Sequence, residues 1–215
     1  MIRDWLLDLF FPPKCIFCGR LLREGERAYC PDCRDSLPER DWKRAVRHTG
    51  GCVAPLRYEG VVRDAILRYK FGGRPHYAVV FGPMIAAKLG DCSAELVTWV
   101  PVSRGRKFGR GYDQAQLLAE ETAKALHLPC VRTLQKRYRP KQSRMRDRAA
   151  RQANIAGAFR AVNPEAVRDR HILLIDDICT TGATLSEAAL TLRTAGAAEV
   201  SGAVLAMAGE TRNSR

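Results

Sequence analysis

The chain has 215 residues, 46% hydrophobic and 27% charged, with 36 basic against 23 acidic side chains and a formal net charge of +13. These proportions exclude a wholly disordered chain and suffice for one sizeable core plus a small module. The positive excess points to a polyanionic partner, either nucleic acid or a phosphorylated ligand, and says nothing about fold.

The opening run Trp5-Leu6-Leu7-Asp8-Leu9-Phe10-Phe11 is apolar but short, broken by Asp8 and stopped by Pro12-Pro13. It reads as a short amphipathic helix over residues 2–10 rather than a secretory signal. No run approaches the roughly 18 apolar residues of a membrane span, so a soluble, cytoplasmic protein is expected. Next come Cys15-x2-Cys18 and, eleven residues later, Cys30-x2-Cys33. Each pair brings two thiolates within reach of one metal, and two pairs close a tetrahedral structural site. Zn²⁺ is the first choice; a rubredoxin-like iron centre has the same ligand set. Residues 1–50 therefore read as an N-terminal metal module, expected to depend on its ion while residues 51–215 hold a core of their own. Cys52, Cys92, Cys130 and Cys179 stand singly among apolar neighbours and read as core thiols.

Residues 34–51, with Pro38 and Gly50-Gly51, read as a linker. Val62, Ile66, Leu67 and Phe71 recur at helical spacing, which predicts a helix over residues 61–70 ended by glycine. A second apolar helix is predicted over residues 79–88. Residues 96–103 form a strand that runs into a loop, residues 104–114, with four basic residues and three glycines. Glycines let backbone wrap a ligand closely, and arginines give bidentate donors to phosphate. Arg110 and Gly111 are thus candidate ligands of a phosphorylated molecule, and Arg106 and Lys107 candidate contacts to single-stranded nucleic acid. Gly109-x-Gly111 lacks the third glycine of a dinucleotide fingerprint, which excludes a Rossmann cofactor site. A helix follows over residues 116–126.

Residues 132–151 hold nine basic side chains and one acid, Asp147. Without strong apolar periodicity the stretch reads as a mobile basic flap, with Arg144, Arg146, Arg148 and Arg151 as candidate contacts to single-stranded nucleic acid. Ile172-Leu173-Leu174-Ile175 is a short buried strand, and Asp176 and Asp177 follow it directly. Then come Thr180, Thr181, Gly182, Ala183 and Thr184, and after them Leu185, Ala188, Ala189 and Leu192 on one helical face. Backbone donors and the dipole at that helix start favour an anion. No lysine follows Gly182, so this is not a Walker A loop. Two carboxylates ahead of a phosphate cup suit a ligand with hydroxyls beside its phosphate, such as a ribose 5-phosphate. Residues 199–206 form the closing strand.

The string from Asp176 to Thr184 resembles the diphosphoribose-binding signature of type I phosphoribosyltransferases. The order of parts over nearly the full length resembles the ComF family, the ComFC/GntX group of phosphoribosyltransferase-like proteins. The matching features are the four-cysteine knuckle, Tyr58-x-Gly60, Lys70-Phe71, Pro101-Val102, Arg110-Gly111-Tyr112-Asp113-Gln114, Gln142, Arg151-x-x-Asn154, Ala158-Phe159 and the signature itself. Asp113 departs from the asparagine common in the family. The resemblance implies an α/β fold, a type I phosphoribosyltransferase-like parallel sheet with helices on both faces and a small N-terminal zinc module. It implies that Asp176 and Asp177 hold the ribose hydroxyls and residues 180–184 the 5-phosphate of phosphoribosyl pyrophosphate, with Mg²⁺. It further implies an accessory for DNA uptake in natural transformation that handles single-stranded DNA beside a competence helicase-like ATPase. An active phosphoribosyltransferase with an unidentified base acceptor is the other reading.

Overall fold

The computed structural model describes residues 12–37, 39–102, 111–137 and 156–209. The expected N-terminal helix, Arg106, Lys107 and Arg110 of the first basic loop, and Arg144, Arg146, Arg148 and Arg151 of the second lie outside the described residues.

In chain order the elements are α1 (Pro31–Ser36), β1 (Glu39–Arg44), β2 (Cys52–Arg57), α2 (Gly60–Phe71), α3 (Ala78–Leu89), β3 (Leu96–Trp99), α4 (Gln114–Leu126), β4 (Leu134–Lys136), β5 (Phe159–Ala161), β6 (His171–Cys179), α5 (Ala183–Thr194) and β7 (Glu199–Met207). Five strands form the main sheet in the order β1-β2-β7-β6-β3. β2, β7, β6 and β3 run parallel, and β1 lies antiparallel on β2 at the edge. A parallel sheet needs cover on both faces, and β6 shows how the sequence provides it. Leu173 and Ile175 turn to one face, into a core with Val62 and Ile66 of α2, Phe81 and Ile85 of α3 and Leu118 of α4. Ile172 and Leu174 turn to the other, with Leu185, Ala188, Ala189 and Leu192 of α5. Each fully buried aliphatic side chain contributes about 1.5–3 kcal/mol. Gly82 lets α3 and α4 touch, since a Cβ there would lie 2.4 Å from Cβ of Glu121.

Three differences from the sequence reading have simple causes. The stretch read as a linker contains β1, whose charged residues Glu39, Arg40, Asp41, Lys43 and Arg44 lack the alternation of a half-buried strand; an edge strand does without it. β3 is shorter than expected because Pro101 has no N–H to continue a ladder, although Val100 still donates to the Ile175 carbonyl at 2.9 Å. The root of the basic flap is ordered: β4 and β5 pair antiparallel, with Leu134 and Phe159 buried against the α5 face.

The metal module is not a separate layer either. Cys15, Ile16, Phe17, Cys30, Cys33 and Leu37 belong to the same core as α2, α3 and α4. Phe17 meets the Phe81 ring at 6.0 Å, and Arg68 of α2 donates to the carbonyls of Ile16 and Phe17 at 3.0 and 2.5 Å. The cysteine module therefore packs directly onto the helices of the larger domain.

Candidate ligand site and metal centre

β6 runs two turns of pleat past its apolar stretch because β7 keeps pairing with it, through Asp176↔Val204, Ile178↔Ala206 and Cys179↔Met207. The acidic pair therefore sits within the strand, and successive side chains leave it on opposite sides. Asp176 lines an open depression of about 210 Å³ together with Cys179, Thr180, Thr181, Gly182, Ala183, Thr184 and Leu185. Asp177 meets α2 instead, where Lys70 Nζ donates to its Oδ1 at 2.9 Å, both side chains only about 15% exposed. Burial, then the Asp177 charge, pushes the Asp176 carboxyl well above the usual carboxylate range. The Asp177 N–H, which donates to Asp176 Oδ1 at 2.8 Å, and the Lys70 ammonium oppose that shift.

The turn after β6 starts α5. Gly182 is its N-cap with φ +77°, a left-handed conformation that favours glycine. A Cβ there would also lie 2.9 Å from Cγ2 of Val46, so no side chain fits. Thr181 Oγ1 accepts from Ala183 N at 3.4 Å, while the N–H groups of a helix's first turn have no carbonyl partner within the helix. Thr180 and Thr181 are exposed, which leaves their hydroxyls at the mouth of the depression. Small residues, first-turn donors and a carboxylate converge here on one depression, the donor set that an anion with neighbouring hydroxyls requires.

Sequence reasoning missed Arg44. From β1 its Nη1 donates to the Thr180 carbonyl and lies 4.0 Å from Cys179 Sγ, while Nη2 donates to the Ala208 carbonyl at 2.7 Å. Its only sequence signal was a basic residue in an apparent linker. Cys179 is buried in the core, as expected, and its thiol lies beside Arg44. The neighbouring Cys52 thiol and next the Arg44 guanidinium hold its thiol down at about 6 against burial.

Of the glycine- and arginine-rich loop, Gly111 is described, exposed with φ +79°. The residues after it anchor rather than bind. Tyr112 donates to the Tyr69 carbonyl, and Tyr69 donates to the Gln114 carbonyl at 2.8 Å. Asp113 is buried and caps α4, its Oδ1 accepting from Gln116 N at 3.3 Å and its Oδ2 from Val102 N at 3.1 Å. An asparagine offers one acceptor oxygen where this aspartate uses two, which gives the departure from the family pattern a structural reason.

Among the described residues, Cys15, Cys18, Cys30 and Cys33 bring four Sγ atoms within 4.8 Å of one another. Cys18 Sγ and Cys30 Sγ stand 3.8 Å apart, close to the about 3.8 Å edge of a tetrahedron with Zn–S bonds of about 2.3 Å. Cys18 N donates to Cys15 Sγ at 3.5 Å and Cys33 N to Cys30 Sγ at 3.4 Å, the second arranged because Cys30 caps α1. Backbone donors to sulfur favour thiolates, and the donor set fits a closed, structural four-sulfur metal centre.

Residues 113–215 match the phosphoribosyl transferase domain, and residues 6–46 match the double zinc ribbon domain. The chain is 33% identical to the DNA utilization protein YhgH of Escherichia coli O157:H7, over 86% of each chain. It is 25% identical to Competence protein F of Haemophilus influenzae over 89% of this chain and 95% of that one. It is 28% identical to Competence protein ComFC of Bacillus subtilis over 81% and 69%. Among solved structures, 63% of the chain is similar to a glutamine phosphoribosylpyrophosphate amidotransferase from B. subtilis complexed with ADP and GMP, at 25% identity and a TM-score of 0.44, spanning 30% of that chain. No helix of the described residues is long and apolar enough to cross a membrane. With these relatives matched over most of their length, a phosphoribosyl transferase domain and a zinc ribbon ahead of it, the chain belongs to the ComF family of phosphoribosyltransferase-like proteins.

Proposed function

We propose that this protein is a ComF-type accessory for DNA uptake in natural transformation, working in the cytoplasm on single-stranded DNA and binding a phosphoribosyl pyrophosphate-like ligand. The observation that carries the reading is the depression where Asp176 and the turn from Thr180 to Thr184 converge, in a chain whose relatives are named for competence and DNA utilization. In this reading the turn takes the 5-phosphate and the acidic pair the ribose hydroxyls. The metal of the four-cysteine centre is Zn²⁺. The carboxylate oxygens of Asp176 suit a hard cation, and Mg²⁺ carried in on the ligand would neutralise pyrophosphate charge.

The basic residues 132–151, with Arg106 and Lys107, are the single-strand contacts in this reading, beside a helicase-like ATPase as partner. Phosphate contacts release counterions, so log affinity should fall linearly with log salt by roughly 0.7 per phosphate neutralised on single strands. Neutralising Arg144, Arg146 and Arg148 together should flatten that slope by about two units. Equal binding by wild type and the triple variant at every salt concentration would remove these residues from the DNA site.

A second reading, an active phosphoribosyltransferase with an unidentified base acceptor, is favoured by the half-buried Lys70–Asp177 pair beside Asp176. Positioning and electrostatic stabilisation make up most of such catalysis. Pyrophosphate release from phosphoribosyl pyrophosphate, measured with Mg²⁺ across candidate bases, separates the readings: turnover with any base favours the enzyme, and ligand binding without turnover favours the accessory.

A further inference from the structure

We propose that Arg44 is a positioning residue of the ligand turn. From the edge strand β1 it fixes the Thr180 carbonyl and, with it, the direction of the donor that follows. The proposal rests on residues 180–184 being the ligand turn, and deepens that reading.

One guanidinium joins three stretches of chain. It donates to the Thr180 carbonyl and to the Ala208 carbonyl, and it stands beside Cys179 Sγ. Thr180 and Ala208 lie just past Cys179↔Met207, the last paired position of β6 and β7, where the strand ladder no longer supplies donors to those carbonyls. A trans peptide is planar, with its C=O and N–H pointing in opposite directions. Drawing the Thr180 carbonyl toward β1 therefore turns the Thr181 N–H away from β1. A reversed peptide would put a carbonyl oxygen where an anion needs a donor. Val46, two residues beyond Arg44, supports the same turn by packing against Gly182. Arginine suits this role because its planar fork serves two carbonyls in fixed directions, whereas a lysine ammonium has no such fork.

The test uses the full chain with Arg44→Lys and Arg44→Met. Amide hydrogen exchange is followed by NMR at Ser186 and Ala208, whose N–H groups donate to the Gly182 and Cys179 carbonyls at 2.8 and 2.9 Å and close the two ends of the turn. Calorimetry with ribose 5-phosphate follows. In Arg44→Met, exchange at those two amides should quicken about tenfold while amides of α4 stay unchanged, and affinity should fall about tenfold, the usual scale for a charge-assisted hydrogen bond. Millimolar guanidinium should restore part of that affinity, and Arg44→Lys should fall between. If Arg44→Met does not fold, Arg44→Lys carries the test, with the same two changes in smaller size. Unchanged exchange at both amides, or a loosened turn with wild-type affinity, would overturn the proposal. If the wild type itself binds no ribose 5-phosphate, the ligand reading fails separately, and exchange alone decides whether Arg44 holds the turn.

Discussion

The cysteine knuckle and the threonine turn proposed to hold the ligand are both short loops, yet they are built in opposite ways. The knuckle draws its four ligands from residues 15–33, with local N–H donors to sulfur from Cys18 and Cys33. The turn is local only in its threonines and Gly182. Its backing comes from Arg44 and Val46, about 135 residues away, and the acidic strand end ahead of it leans on Lys70, 107 residues away. A site closed by neighbours in sequence is legible as spacing; a site closed by distant strands shows only the half that lies on one element.

The largest expected effect breaks the knuckle. Cys30→Ser should release the metal and lower the melting temperature of the whole chain by about 10 °C or more, since metal binding at such sites is folding free energy. The loss should spread because Phe17 and the cysteines share a core with Phe81 and Tyr69. Elemental analysis and calorimetry check this. A variant that loses metal but melts like wild type would show that the two cores are independent.

Breaking the turn should instead change binding more than folding. Asp177→Ala should weaken binding of a ribose 5-phosphate ligand by about 1.5–3 kcal/mol, as expected for charge-assisted hydrogen bonds, and strands Lys70 without its carboxylate. Thr184→Val should cost less, about 0.5–1.5 kcal/mol, because the backbone donors remain. Calorimetric titration of both variants checks the order; a reversed order would place the ligand elsewhere.

The smallest effect has the opposite sign. The Asp176 carboxyl has a folded-state value raised by burial and by Asp177, so the folded chain binds its proton more tightly than the unfolded chain. Stability from this group is present at low pH and declines as pH rises from about 4 through the raised value. Asp176→Asn should therefore melt higher than wild type at neutral pH, with the gap closing on acidification, and should bind ligand less well. A gap that stays constant across melting curves from acid to neutral pH would contradict this.

The legible part of the fold is the part written in local periodicity. The face of α5 fell on Leu185, Ala188, Ala189 and Leu192, the residues now buried there, because a helix buries one stripe regardless of what covers it. The apolar run of β6 marked a central strand for the same reason. β1 was illegible because an exposed edge has no apolar pattern to show, and Arg44 was lost with it. Asp113 stands in the sequence only as a departure from a family pattern, whereas in the fold its two oxygens cap α4 and tie it to Val102. A cap and a ligand group look alike until the chain folds around them.

The most direct test of the central claim is a calorimetric titration of phosphoribosyl pyrophosphate, with Mg²⁺, into the wild type and the Asp176→Ala, Asp177→Ala double variant. The wild type should bind with one site per chain, and the double variant should lose at least tenfold in affinity while keeping its metal and its fold. Identical titrations for the two proteins would show that the acidic strand end and its threonine turn are not the ligand site.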